Sequence, residues 1–284
     1  MQQRKEESGR SLARHLTWET DDNCIVESSV LFIHNRKIPW VICLPCATGC
    51  GEKCIICAVS AAKKYRNLHY KELNAILTKS IEFIENKEIY QISFMGGGEP
   101  FFNSNNLFRF CEKTLNISTQ IIIGISTVGI ERGITQLCTK EWGDQIKLQL
   151  SLHAWPSEKR IKIIPAESKH PIKKAIDAAS DFATKWDRKC SLNYVMLKDF
   201  NDSEEDAYNI LKVINPELFY LKISEFNPNK YCKLNHSSPE KVKNFIDILR
   251  NNGIEIHRFR SIGTGIGAGC GQTAISLKIP HNSN

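Results

Sequence analysis

The sequence predicts an α/β fold: an open or partial (βα)6 barrel with an N-terminal β-hairpin and a C-terminal extension. Two observations carry this. Short β-branched and aliphatic runs alternate along the chain with longer segments of helical apolar spacing, which implies parallel strands joined by right-handed crossovers. Polar residues recur where the strand runs end, and in barrels of this kind chemistry collects at the carboxyl ends of the strands.

The elements follow in order. Alternation over 29–33 and 38–43, with HNRK between, reads as the hairpin. Residues 69–86 place Tyr70, Leu73, Ile76, Leu77, Ile81 and Ile84 at helical spacing. A strand is expected over 89–94, a helix over 105–115, a strand over 121–126 and a helix near 129–140. Strand 146–152 precedes a helix over 171–186 opened by Pro171. Strand 191–197, helix 203–213 with its acidic first turn, strand 219–225 and helix 239–252 continue the pattern, and 254–259 closes it. The 284 residues suit one large domain or two small ones. We expect a single domain over 21–276, a polar mobile N-terminus over 1–20 and a mobile tail over 277–284.

Composition narrows the class. Hydrophobic residues make up 42% and charged residues 24%, values typical of a globular protein. The net charge of +7 permits a polyanionic partner without requiring one. No apolar run approaches the roughly 18 residues of a membrane span, and the first residues lack a signal-peptide core. A cytoplasmic location is therefore expected, where the eleven cysteines stay reduced rather than forming a disulfide framework.

Five of those cysteines fall in CLPCATGCGEKCIIC, residues 43–57. Cys50, Cys54 and Cys57 form C-x3-C-x2-C. Zinc sites pair two C-x2-C knuckles, and no second knuckle exists, although Cys46 could serve as a fourth ligand. Three thiolates at this spacing suit a [4Fe–4S] cluster with one iron left open.

This arrangement resembles the radical S-adenosylmethionine (SAM) enzymes. The segment MGGGEP, residues 95–100, resembles their glycine-rich cofactor motif, with Gly98 allowing close backbone approach and Glu99 able to accept from the SAM ammonium. Ser126, Ser151, Leu152, His153 and Asn227 fall on the predicted rim and are implied as further cofactor-binding residues. More narrowly, CATGCGEKCIIC, RNL at 66–68, MGGGEPFFN, IST at 125–127, LSLHA, IIPAESKHPI, YVMLKDFND, ISEFNPN and AGCGQTA resemble the class A radical SAM methyltransferases. These methylate carbon 2 or carbon 8 of adenosine in RNA. The matching segments run from about residue 25 to residue 274.

The resemblance gives two further cysteines a role. Cys270 would take a methyl group from one SAM by displacement, as a thiolate nucleophile. A second SAM, cleaved at the cluster, would activate that group for addition to an electrophilic sp2 carbon. Cys43 would then attack the Cys270 sulfur, releasing the product and leaving a disulfide intermediate. Glu27 fits the base that removes the ring proton. Cys24, Cys46, Cys111, Cys138, Cys190 and Cys232 read as small buried hydrophobes or incidental residues.

The resemblance implies an adenine base in RNA as the substrate, with a small molecule or nucleoside as the alternative, a flavodoxin or ferredoxin as electron donor, and a monomer. A reading from another class is a zinc-stabilised RNA-binding protein without catalysis. Two departures bear on the substrate. Few residues precede Ile25, so the family's N-terminal accessory domain is not expected, and a glycine-rich stretch over 263–269 replaces an acidic one. Basic candidates for an RNA surface are Arg258, Arg260, Lys230 with Tyr231, and KRIKI at 159–163.

Overall fold

The computed structural model describes residues 1–8, 11–62, 65–85 and 90–272. Among these described residues ten strands form one sheet in chain order. The first four pair antiparallel: β1 (Gln2–Ser8), β2 (Ser11–Glu19), β3 (Ile25–Phe32) and β4 (Trp40–Leu44). From β4 onward every pairing is parallel, through β5 (Gln91–Phe94), β6 (Ile122–Thr127), β7 (Ile146–Ser151), β8 (Cys190–Met196), β9 (Phe219–Glu225) and β10 (Ile256–Phe259). The crossovers carry α1 (Tyr70–Ile81), α2 (Ser104–Leu115), α3 (Glu131–Cys138), a short α4 (Ser157–Arg160), α5 (Ile172–Lys185), α6 (Glu204–Leu211) and α7 (Pro239–Asn251). The expected α/β alternation is present. The expected hairpin is β3–β4, with Ser29 opposite Cys43.

Helix starts follow local chemistry. In α6, Ser203 and Asp206 form a reciprocal capping box, and in α7 Ser238 caps a first turn that opens with Pro239. The helices bury their apolar faces on one side of the sheet. In α1, Leu73, Ile76, Leu77 and Ser80 recur at the spacing that makes one stripe. Beneath the helices lie Ile42, Leu44, Ile92, Phe94, Ile123, Ile125, Leu148, Leu150, Leu192, Tyr194 and Leu221. Burial of each such side chain contributes roughly 1.5–3 kcal/mol.

The period of two then sends the intervening residues to the opposite face. That face carries Cys43, Gln91, Ser93, Gly124, Ser126, Lys147, Gln149, Ser151, Ser191, Asn193, Tyr220, Lys222 and Ser224, which line cavities. The interior of this barrel is polar, and this is what makes it a site.

The expectation of a mobile segment over 1–20 is corrected. Residues 2–8 and 11–19 form β1 and β2, an antiparallel pair laid on β3. Ala13, His15 and Leu16 of β2 are fully buried against the sheet. β1, Gln2–Ser8, carries Arg4, Lys5, Glu6 and Glu7, charges that suit an edge strand and hide its strand character in the sequence. The glycine-rich stretch folds compactly: Gly263 and Gly267, at φ 77° and 80°, flank a single 3-10 turn, Thr264–Ile266. A Cβ on Gly263 would lie 2.6 Å from Ala13 Cβ, so the C-terminal segment packs directly on the N-terminal strand pair. The expected strand start at 89, helix end at 86 and tail over 277–284 lie outside the described residues.

Candidate active site

The loop after β4 is braced on both sides. Cys46 N–H donates to the Gly97 carbonyl at 2.7 Å, Leu68 N–H to the Cys46 carbonyl at 3.0 Å, and Thr48 N–H to the Arg66 carbonyl at 2.9 Å. The RNL segment and the glycine motif therefore clamp it. Cys46 is buried, and its thiol donates to the Gly97 carbonyl at 3.2 Å. It packs under Gly98, whose φ of 92° and lack of Cβ allow the approach. The fourth-ligand option for Cys46 is thus disfavoured: its sulfur is committed to the backbone.

Cys50, Cys54 and Cys57 line one cavity, together with Gly98, Glu99, Ser126, Ser151, His153, Asn227 and Cys270. Burial is the main cause that raises all three thiols above their ordinary range, Cys50 to about 12. Such sulfurs become thiolates only against a strong local positive charge, as iron supplies. Among the described residues, no three His, Cys, Asp or Glu side chains lie close enough to hold a single metal ion. Three thiolates on one zinc, each at about 2.3 Å, would sit close together, whereas a cube spreads them over three corners. The residues fit a cluster better than a zinc ion.

Glu99 is buried at the cavity wall. One oxygen accepts from Phe101 N–H at 3.2 Å and the other from Val128 N–H at 2.8 Å, tying the end of β5 to that of β6. Burial pushes its carboxyl up to about 7, and hydrogen bonding from the Thr127 side chain, then from these two N–H groups, keeps it from going further. His153, in the left-handed region at φ 53°, accepts from Val195 N–H through Nδ1 at 3.1 Å. Burial, then the Arg160 charge, lowers its imidazolium to about 3. The ring is neutral, and with Nδ1 accepting, its proton sits on Nε2 as a fixed donor. Ser126 accepts from Gln149 at 2.9 Å. Asn227 Nδ2 donates to Ser261 Oγ at 2.8 Å and to the Cys270 carbonyl at 3.0 Å, so it positions the C-terminal thiol. The Leu152 side chain is fully buried in the core under the helices, because the alternation turns it away from Ser151, so only its backbone is left to face the cofactor side.

A smaller cavity brings together Cys43, Cys270 and Glu27, with Met95 and Gly96. Cys270 is exposed and borders both this space and the three-cysteine cavity. Burial foremost, then the neighbouring Cys270, pushes the Cys43 thiol up to about 12. Glu27 is buried between the outer strands, its Oε1 3.4 Å from His15 Nε2 and 4.0 Å from Arg4 Nη2. Both partners come from the strand pair that sequence reasoning left as a mobile terminus.

Two residues were missed. Arg160 stands in KRIKI, read as a candidate RNA surface, yet it is fully buried. Its guanidinium donates to the carbonyls of Leu152 at 3.0 Å, Val128 at 2.6 Å and Ser151 at 2.7 Å, and pairs with Glu167. It knots the rim behind His153, and the interleaved apolar residues Ile161, Ile163 and Ile164 were the available signal. Lys222 on β9 borders the three-cysteine cavity and a second cavity of the barrel interior, donating to Gln149 Oε1 at 3.2 Å and lying 4.1 Å from the Phe259 ring centre. Its inward register on a parallel strand was the signal.

This geometry is shared with known proteins. Residues 44–211 match the profile of the radical SAM superfamily, and the chain belongs to that superfamily. Its enzymes use a [4Fe–4S] cluster and SAM. The chain is 33% identical over 257 residues to the probable dual-specificity RNA methyltransferase RlmN of Clostridium beijerinckii, covering 89% of this chain and 70% of the relative. The RlmN of Thermotoga maritima is 34% identical over 260 residues, covering 90% and 74%. A crystal structure of a radical SAM methyltransferase from Sphaerobacter thermophilus superposes with a TM-score of 0.85 at 26% identity, covering 95% of this chain and 80% of that one. Within the superfamily the chain thus falls in the RlmN family, and it is a SAM-dependent methyltransferase. Among the described residues no helix is long and apolar enough to cross a membrane.

Proposed function

We propose that the protein methylates an adenine base of RNA at a ring carbon, through a methylated Cys270. The observation that supports this above others is the position of Cys270, which borders both the three-cysteine cavity and the small cavity with Cys43 and Glu27. In this reading Cys50, Cys54 and Cys57 hold the cluster. Gly98, Glu99, Ser126, Ser151, His153 and Asn227 form the bed for SAM, with Leu152 contributing only backbone. Bound there, the cluster and SAM would supply one-electron chemistry that removes a hydrogen atom from a methyl group.

The protein's own side chains do the rest. Cys270, once ionised, takes a methyl group as a sulfur nucleophile and carries it as a thioether. Asn227 holds the Cys270 carbonyl, fixing the thioether between the two cavities. Glu27, held between Arg4 and His15, takes the proton from the substrate ring. Cys43 then gives up its proton and attacks the Cys270 sulfur. By then the thioether carbon has bonded to the ring carbon, whose proton went to Glu27 and whose one surplus electron returns to the electron donor. The bond from the Cys270 sulfur to that carbon breaks with its electron pair, and the carbon takes up a proton to become the product's methyl group. A Cys43–Cys270 disulfide forms, and two electrons from an external donor of flavodoxin or ferredoxin type reopen it. Its eleven free cysteines agree with action in a reducing cytoplasm, and we expect a monomer.

The test is product identification. Reduced holoenzyme with methyl-labelled SAM is expected to place label in RNA and, after digestion, in methyladenosine. Label found only in a small molecule would contradict the RNA reading. A colourless protein with one zinc and no transfer would support a non-catalytic role instead.

A further inference from the structure

Below Cys43 and Cys270 the barrel interior continues into a second cavity of about 460 Å3, within the roughly 300–1,000 Å3 of small-ligand sites. Its charge is one-sided. Arg36, Lys147, Lys222, Arg258 and Arg260 line it, and no Asp or Glu does. Arg260 is paired with Glu225 outside the cavity. Among the described residues the other four have no carboxylate partner. They face neutral dipoles instead: Arg36 and Lys147 both approach Gln91 Oε1 at 3.5 Å, and Lys222 bonds Gln149. Arg36, Lys147 and Arg258 line it as exposed side chains and Lys222 is half-buried; partial burial lowers the pKa of Arg36, Lys147 and Lys222. Like charges converging on one cavity repel each other unless an anion joins them, and a guanidinium with nearby ammonium groups matches phosphate. The cavity opens beside the sulfur pair, since Cys43, Ser126 and Cys270 form its upper wall.

We infer that this cavity binds a phosphate group of the substrate beside the Cys43–Cys270 pair, so that the acceptor is recognised as a nucleotide and not as a bare base or nucleoside. The inference rests on the adenine reading above and adds the group that the barrel interior recognises. The phosphate is either a backbone phosphodiester of RNA or that of a free nucleotide.

Calorimetric titration of the holoenzyme, without reductant, tests it with three probes: adenosine, adenosine 5′-monophosphate and an RNA hairpin bearing an unpaired adenine. The expected result is that the monophosphate, the hairpin or both bind at least about tenfold tighter than adenosine. The variant Arg36→Gln/Lys147→Met is expected to erase that preference while its melting temperature holds or rises, because two like charges that repel across the cavity have been removed. Preference for the hairpin alone assigns the site to an RNA phosphodiester, and preference for the monophosphate alone to a free nucleotide. Equal affinity for all three probes, no binding of any, retention of the preference by the variant, or a lowered melting temperature in the variant would overturn the inference. Binding needs no turnover. Phosphate-dependent binding without methyl transfer would therefore refute the methyl-carrier reading and leave this one standing.

Discussion

Arg160→Met isolates what the rim owes to one buried cation. Arg160 supports the carbonyls of Val128, Ser151 and Leu152 and neutralises Glu167. Glu167 in turn accepts from Ser157 Oγ at 2.6 Å and from Ile172 N–H at 3.0 Å. Removing the guanidinium leaves a buried carboxylate unpaired, which costs about 3–5 kcal/mol, and orphans three carbonyls that keep only weak backbone compensation. We take about 5 kcal/mol in all. With about 2.1 cal/mol/K of unfolding entropy per residue, the chain loses about 0.6 kcal/mol of stability per kelvin near its midpoint, so the melting temperature should fall by about 8 °C. Arg160→Met/Glu167→Gln removes the orphaned charge and should recover about 2 kcal/mol, or about 3 °C, as a measurable coupling. Thermal melts of anaerobic holoenzyme followed by circular dichroism give both numbers. A single variant that melts within about 1 °C of the parent, yet loses affinity for RNA, would refute the buried-knot argument and restore KRIKI as a nucleic-acid surface.

Other outcomes follow from the same geometry. Gly98→Ala forces a Cβ to 2.7 Å from Ala47 Cβ and 2.9 Å from Cys46 Sγ at φ 92°; strain and overpacking of about 2–4 kcal/mol should lower the melting temperature by about 5 °C and weaken SAM binding by calorimetry. Asn227→Leu removes both donors to Ser261 and Cys270 and should cost only about 1–3 kcal/mol of stability while substrate methylation falls at least about tenfold; unchanged turnover would show that Cys270 needs no such anchor. In protein with unmethylated Cys270, iodoacetamide at pH 8 should modify exposed Cys270 well before Cys43. A thiol held near 12 is protonated there in all but about one molecule in 10,000, and raising the pH to 10 should speed Cys43 alkylation by about a hundredfold. Equal rates at pH 8 would contradict the burial of Cys43.

Much of this site is legible in the sequence because its constraints are local. The cysteine spacing lies within one loop, and the glycines at 96–98 stand where any Cβ would fall within about 3 Å of the 44–47 segment. The strand period then places Ser126, Ser151 and Asn227 on the rim. What is not legible depends on distant partners. Arg160 looks like a surface cation until three carbonyls from two other loops converge on it. β1 looks disordered because an edge strand favours charge, and nothing local says that Arg4 will meet Glu27. Leu152 sits in a rim motif, but a shift of one residue along a strand carries it to the core. The cationic lining is likewise spread: Arg36 between β3 and β4, Lys147 on β7, Lys222 on β9, and Arg258 and Arg260 on and just after β10.

The role of Cys270 admits the most direct measurement. Peptide mass spectrometry of protein produced with SAM available should find one added methyl group on Cys270, and Cys50→Ala, which removes one ligand of the proposed cluster, should abolish it. A methyl group on Cys43 instead, or none on either sulfur in a protein that still methylates its substrate, would contradict the account.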